Sequence, residues 1–245
     1  MQAHIHKEKS YQGLTWPPLI SGQLIKRYKR FLADVKLDNG QVVTAHCPNS
    51  GSMAACSEPG CRVYLSSHDN PKRKLKYTWE IIQMPESWVG VNTMVPNRLV
   101  KNAIENGRIS QLTGYETIRS EVKTSEGSRL DLLLQENEKD DCYIEVKNCT
   151  LVETGVAMFP DAVTQRGRKH LFELERLKRG ANRCVMFFLV QRMDAEVFKP
   201  AAHIDPAYAD TLRKVHLDGG VEILVYDVQI NLAHIRLNRQ IPYRL

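Results

Sequence analysis

Residues 142–151 read CYIEVKNCTL, a strand pattern that carries two charges where apolar residues would serve. Side chains two apart along a β-strand leave the same face. Ile144 and Val146 therefore look one way, and Tyr143, Glu145 and Lys147 look the other. The first face reads as core. The second reads as chemistry or as solvent.

The segment before it, SRLDLLLQ at 128–135, is separated from it by the polar turn ENEKDD. A hairpin centred near 138 sets Asp131 directly opposite Glu145. The preceding turn, SEGS, is centred near 126 and sets Glu121 opposite Asp131. Directly opposed residues have Cβ atoms about 5 Å apart, and like charges there are destabilising, so three acids in a row ask for a cation. Mg²⁺ or Mn²⁺ suits them, because such an ion takes a few carboxylate oxygens together with waters and substrate phosphate oxygens. Asp131 and Glu145 are the expected ligands, with Glu121 as a third. Lys147, next along the face, is placed to orient a water nucleophile or to stabilise charge in a phosphorane-like transition state. The alternative is an exposed face with scattered charges in a register that slips. The apolar set Leu130, Leu132, Leu134, Ile144 and Val146 orients the hairpin in either case.

Around this hairpin the spacing predicts a helix over NRLVKNAIENG, a strand over GYETIRSEVKT and a helix over DAVTQRGRKHLFELERLKRG. Then come a strand RCVMFFLVQR, a helix near PAYADTLRKVHLDG and a strand VEILVYDVQI. The order αβββαβαβ describes a mixed α/β domain over 84–245. In its second helix Asp161 is the expected N-cap, and Val163, Leu171, Leu174 and Leu177 form the apolar stripe. Gln165 and Lys169 share a face, alongside Arg166 and Arg168, that suits either phosphate contacts or plain solvation. His170 reads as a packing or capping residue.

Residues 1–83 read as short strands punctuated by turns, among them Asp-Asn-Gly at 38–40, a hairpin signal. Five or so strands in about eighty residues suggest a small barrel of the OB type. All of the chain's net charge of +6 lies here: 12 Lys and Arg stand against 6 Asp and Glu, while 84–245 holds 22 of each. The cations gather at Lys26, Arg27, Tyr28, Lys29 and Arg30 and at Lys72, Arg73, Lys74 and Lys76, next to Tyr77 and Trp79. Cations interleaved with rings suit a nucleic-acid strand, by phosphate neutralisation and base stacking.

At 245 residues the chain is long enough to bury a core without disulfides. Six cysteines at irregular spacings, with no CxxC, fit reduced thiols. A zinc set drawn from His46, Cys47, Cys56, Cys61 and His68 matches no common ligand spacing. The start of the chain shows no secretory apolar run, and no stretch approaches the roughly 18 apolar residues of a membrane span. The expected compartment is the cytoplasm, away from any membrane.

Asp131 on one strand and Glu-x-Lys on the next resemble the PD-(D/E)xK nuclease superfamily, with Leu130 where the motif has Pro. Taken with CPNSGSM at 47–53, DNPKRKLKYTWE at 69–80 and FPDAVTQRGRKHL at 159–171, the chain resembles the sugar fermentation stimulation protein A family nearly throughout. The resemblance implies an OB-like domain joined to a restriction-endonuclease-like αβββαβ domain, with Asp131, Glu145 and Lys147 at the motif positions. It also implies a DNA partner, bound largely without sequence preference. Three functions are then open: a Mg²⁺-dependent nuclease, a non-catalytic DNA-binding regulator affecting sugar (maltose) metabolism, and, with least use for the clustered cations, a carbohydrate-active enzyme with two carboxylates.

Overall fold

The computed structural model describes residues 11–245. The chain opens with β1 (Leu14–Thr15), followed by β2 (Leu19–Tyr28), β3 (Leu32–Leu37), β4 (Val42–His46), β5 (Arg62–Ser67), β6 (Tyr77–Gln83) and β7 (Trp88–Gly90). Antiparallel pairing runs β4-β3-β2-β5-β6, and a short parallel pairing of Ala45 with Tyr77 and His46 with Thr78 closes the five strands into an OB-like barrel. Alternation explains the closure: Leu24, Val35, Val43, Val63, Leu65 and Trp79 all point into one core. Gly40, at φ +86°, takes the left-handed turn position that the Asn-Gly pair anticipates.

The second unit follows with α1 (Val95–Glu105), β8 (Thr117–Ser125), β9 (Ser128–Glu136), β10 (Lys139–Cys149), β11 (Leu151–Glu153), β12 (Val156–Phe159) and α2 (Gln165–Arg179). It ends with β13 (Arg183–Val190), β14 (Val197–Pro200), α3 (Pro206–Leu217), β15 (Glu222–Ile230) and β16 (His234–Gln240). Its seven-stranded sheet has the order β1-β16-β15-β13-β10-β9-β8, with β10, β13 and β15 parallel. This is the restriction-endonuclease-like α/β arrangement, helices on both faces of a mixed sheet. Leu132, Leu134, Ile144 and Val146 pack under α1, and Leu171, Leu174, Met186 and Phe188 fill the opposite layer with α2 and α3. Leu130 belongs to that opposite layer, away from the leucines that follow it.

Beyond Gln83, β7 extends the barrel sheet through Ile82–Val89 pairing. The N-terminal β1 pairs with β16, through Leu14 with Ile235. Tyr64 and Ile81 of the barrel share a core cluster with Leu99 and Ile144, so apolar packing runs across the junction. The small sheet β11-β12-β14 escapes a period-two reading because its strands have only three or four residues. Thr164, not Asp161, caps α2, its side chain accepting from Gly167 N at 3.0 Å. Val163 precedes the helix and is exposed. Among the described residues no helix is long and apolar enough to cross a membrane, and all six cysteines are free thiols.

Candidate active site

The paired register of β9 and β10 runs from Cys142–Leu134 to Ile144–Leu132, which carries Asp131 to Glu145, as counting across the turn requires. There the ladder stops. The Asp131 side chain itself takes the Val146 N–H at 2.7 Å, and its other oxygen accepts from Asn97 Nδ2 of α1 at 2.6 Å. Burial first, and then the Glu145 charge, push the Asp131 carboxyl up to about 7, against these two hydrogen bonds and Lys147.

Glu145 is 2% exposed; its face of the sheet is neither solvent nor open, because α2 lies over it. Lys147 Nζ donates to Glu145 Oε1 at 2.5 Å, and His170 Nδ1 of α2 converges on the same oxygen. The two nitrogens stand 3.2 Å apart. Glu145 Oε2 is buried with no hydrogen-bond partner. Burial raises its carboxyl, but the His170 hydrogen bond and the Lys147 charge outweigh burial and leave it below its ordinary value. Two neighbouring carboxyls are thus pushed apart, one protonated readily and one held ionised.

Glu121 does not join them. At φ +56° its backbone turns within β8, and the exposed side chain stands 3.8 Å from Arg129. Among the described residues no three His, Cys, Asp or Glu side chains gather as a ligand set. Asp131 and Glu145 remain, and they fit Mg²⁺ or Mn²⁺, which needs one or two carboxylates beside water and phosphate oxygens. The orphaned, buried Glu145 Oε2 is the atom that such an ion would satisfy.

The carboxylates open on a cavity of about 510 Å³, lined by Lys147, His170 and Arg166 from the α/β unit and by Arg30, Asn49, Ser50 and Gly51 from the barrel. The CPNSGSM loop is therefore a wall of the site. Arg27 holds it: its guanidinium donates to the carbonyls of Asn49, Gly51, Ser52 and Arg30 at 2.8–3.0 Å. Asp161 meets it from the other side, accepting from Met53 N and Ser52 Oγ at 3.3 Å. A Cβ on Gly51 would lie 2.4 Å from Asp161 Oδ2, so a side chain there would displace the carboxylate that meets the loop.

The expected nucleic-acid residues fall into separate groups. Arg27 is spent on loop carbonyls, which removes it as a phosphate ligand. Lys26 lies 5.2 Å from the Tyr28 ring and 3.8 Å from Asp34, which also accepts from Tyr28 Oη. Lys29 and Arg30 form the hairpin tip at φ +48° and +63°. Lys72, Arg73, Lys74 and Lys76 sit on or beside the β5–β6 loop, and none lines the carboxylate cavity. Trp79 is fully buried, so its ring is core. Gln165, Arg166 and Lys169 line an adjoining basic groove of about 710 Å³ with Lys123, Arg129 and His170; there Lys169 Nζ donates to Gly127 O at 2.7 Å. Sequence reading missed the parts played by Asn97, Asp161 and His170. A histidine next to Lys169, on the helix facing Glu-x-Lys, was the one available signal.

An OB-like barrel walling off the carboxylates of a restriction-endonuclease-like sheet defines a two-domain class of protein. Residues 25–91 match the model of the SfsA N-terminal OB domain, and residues 94–234 match that of the sugar fermentation stimulation protein RE domain. The chain belongs to the sugar fermentation stimulation protein family. It is 54% identical to homologues from Geobacter sulfurreducens, over 92% of this chain and 96% of that one, and from Pelobacter propionicus, over 92% and 97%. The solved structure of Pyrococcus furiosus SfsA in complex with Ca²⁺ matches with a TM-score of 0.87 at 25% identity, over 96% of this chain and 100% of that one.

Proposed function

We propose that this chain is a DNA-binding phosphodiester hydrolase that works with Mg²⁺ or Mn²⁺ at Asp131 and Glu145. The observation that carries the reading is Glu145: one oxygen is held by Lys147 and His170, and the other is buried without a partner beside the Asp131 carboxyl. An unsatisfied buried polar atom is costly, and two close carboxylates repel. A hard divalent cation relieves both. The Pyrococcus furiosus relative was solved in complex with Ca²⁺, a hard cation that takes oxygen ligands, and this supports the reading.

When bound, the cation supplies Lewis-acid activation of water and shields the phosphate. The remaining work falls to side chains. Asn97 and the Val146 N–H orient Asp131, and His170 fixes the Glu145 rotamer. Lys147 presents a positive charge in a largely water-excluded place, where such charge is most effective. Arg30 and Arg166 face the same cavity and suit the flanking phosphates. Sequence-independent DNA binding follows from the exposed cations.

The regulator reading has its own support in the lysines at 72, 74 and 76, which are exposed yet remote from the carboxylates. Incubating the protein with supercoiled plasmid, with and without Mg²⁺ or Mn²⁺, separates the two. Cation-dependent nicking that disappears in Glu145→Gln is expected. Retardation without cleavage of duplex, single-stranded or branched DNA, or of RNA, would leave the regulator.

A further inference from the structure

A second pocket, of about 330 Å³, lies between the barrel, α1 and the β1 strap. It neighbours the carboxylate cavity: Pro48, Asn92 and Met94 line this one, Asn49 and Thr93 line the other, and Thr93 Oγ1 donates to Pro48 O at 2.5 Å between them.

Its chemistry is unlike that of a structural crevice. Glu80 lines it at 5% exposure, accepting from Ser66 Oγ at 2.6 Å and from Asn92 Nδ2 at 2.7 Å. Among the described residues it forms no ion pair, and buried carboxylates are almost never left without a counter-charge. Arg73 and Arg98 line the same pocket, and neither forms an ion pair among the described residues. Arg73 donates to Thr78 Oγ1 at 2.8 Å. His68 Nε2 stands 3.3 Å from that oxygen and 3.2 Å from Ser66 Oγ, so the arginine end and the carboxylate end are tied into one polar network. Trp16, Pro17 and Val95 supply apolar walls.

A ligand for this pocket must bring an anion to the guanidiniums and hydrogen-bond donors to the carboxylate. Phosphate alone would leave Glu80 facing an added negative charge, and a neutral sugar would leave the arginines without one. A nucleotide meets both demands. Its phosphate pairs with Arg in forked, charge-assisted geometry, and an amino-bearing base edge donates to Glu or Asp. The volume is at the small end of ligand pockets, which begin at about 300 Å³, and so suits one nucleotide.

We propose that this pocket binds a single nucleotide unit, free or within a strand, with its phosphate on Arg73 and Arg98 and its base donor edge on Glu80. The inference is independent of hydrolysis at Asp131 and Glu145, and it is tested without divalent cations. Calorimetric titration in EDTA with dGMP, dCMP, dAMP, TMP, deoxyguanosine and inorganic phosphate should show saturable binding of the amino-bearing monophosphates. TMP, the nucleoside and phosphate should each bind roughly tenfold more weakly, about the worth of one charge-assisted hydrogen bond. The Arg73→Gln/Arg98→Gln variant should lose roughly tenfold or more for every monophosphate. Glu80→Gln, checked for folding by its melting curve, should retain binding but lose the preference over TMP, and Asp131→Asn should bind as the parent does. A 5′-phosphorylated tetranucleotide that displaces dGMP and binds at least tenfold tighter assigns the pocket to a strand, and equal affinity assigns it to free nucleotides. The proposal is overturned if no monophosphate saturates by millimolar concentration, if phosphate competes as well as the nucleotides, or if the double Arg variant binds unchanged.

Discussion

The Asp131 carboxylate takes the backbone N–H of Val146 at 2.7 Å, the bond a ladder carbonyl would take if β9 and β10 stayed paired beyond Leu132 and Ile144. The side chain thus replaces main chain at the point where the strands part, and it is held in a buried place beside a second acid. In the folded protein its carboxyl sits near 7, against an ordinary 3.8, so the folded state holds this proton more tightly than the unfolded chain. The stability linked to it is complete below about pH 4 and is lost as pH rises to about 7. Cation-free protein should therefore melt lower at pH 8 than at pH 5, Asp131→Asn should flatten that slope, and Mn²⁺ should raise the midpoint most above pH 7 by mass action. A slope unchanged in Asp131→Asn would remove this residue as its source.

Lys147 is the residue that distinguishes chemistry from binding. Lys147→Ala should leave plasmid retardation nearly intact and lower cation-dependent nicking by at least about a hundredfold, the loss typical of one preorganised charge-stabilising group. Single-turnover nicking rates at saturating protein are the measurement, and rates within threefold of the parent would exclude that role.

His170 reaches Glu145 from a different element, and it holds that carboxyl low by hydrogen bonding. In His170→Ala the Glu145 carboxyl should titrate at higher pH, so the acid limb of the nicking profile should move upward while activity at high pH recovers toward the parent. A loss of rate that is uniform across pH would mean that His170 acts by holding the Glu145 rotamer and not by lowering its titration.

Arg27 and the β5–β6 lysines should part company in DNA binding. Arg27→Ala leaves the carbonyls of Asn49, Gly51 and Ser52 without their guanidinium donor and should cost about 2–3 kcal/mol of stability, without changing the salt dependence of binding. Lys72→Ala/Lys74→Ala/Lys76→Ala should melt as the parent does, but should lower the slope of log affinity against log salt by about 3, roughly one for each phosphate that a lysine no longer neutralises. Filter binding across a salt series reads both.

A side chain at Gly51 would meet the Asp161 carboxylate, with its Cβ 2.4 Å from Oδ2. Gly51→Val should push the loop off Asp161 and disorder one wall of the cavity, cutting nicking by about tenfold or more, as misplacement of a positioning element does, with binding to the basic surfaces retained. Nicking at the parent rate would show that the loop has no part in the reaction.

The placing of Asp131 opposite Glu145, the Lys147 side of β10 and the Asp-Asn-Gly hairpin were legible in the order of residues, because two-residue alternation and turn chemistry are local properties of the chain. Counting from the turns even carried Glu121 opposite Asp131. It was not enough, because a left-handed backbone at Glu121 turns its side chain toward Arg129, and no count of positions contains a dihedral angle. The charge clusters were equally visible, but not their use: Arg27 reads as a free cation until the loop whose carbonyls it binds is folded against it. Asn97, Asp161 and His170 come from α1, the segment before α2, and α2 itself, and they meet the hairpin or the barrel loop only after the chain has closed over tens of residues. Whether the Glu145 face is solvent or site was decided by α2 packing over it. Burial is set by what lies across an interface between layers, and that is a property of the assembled fold, not of any one segment.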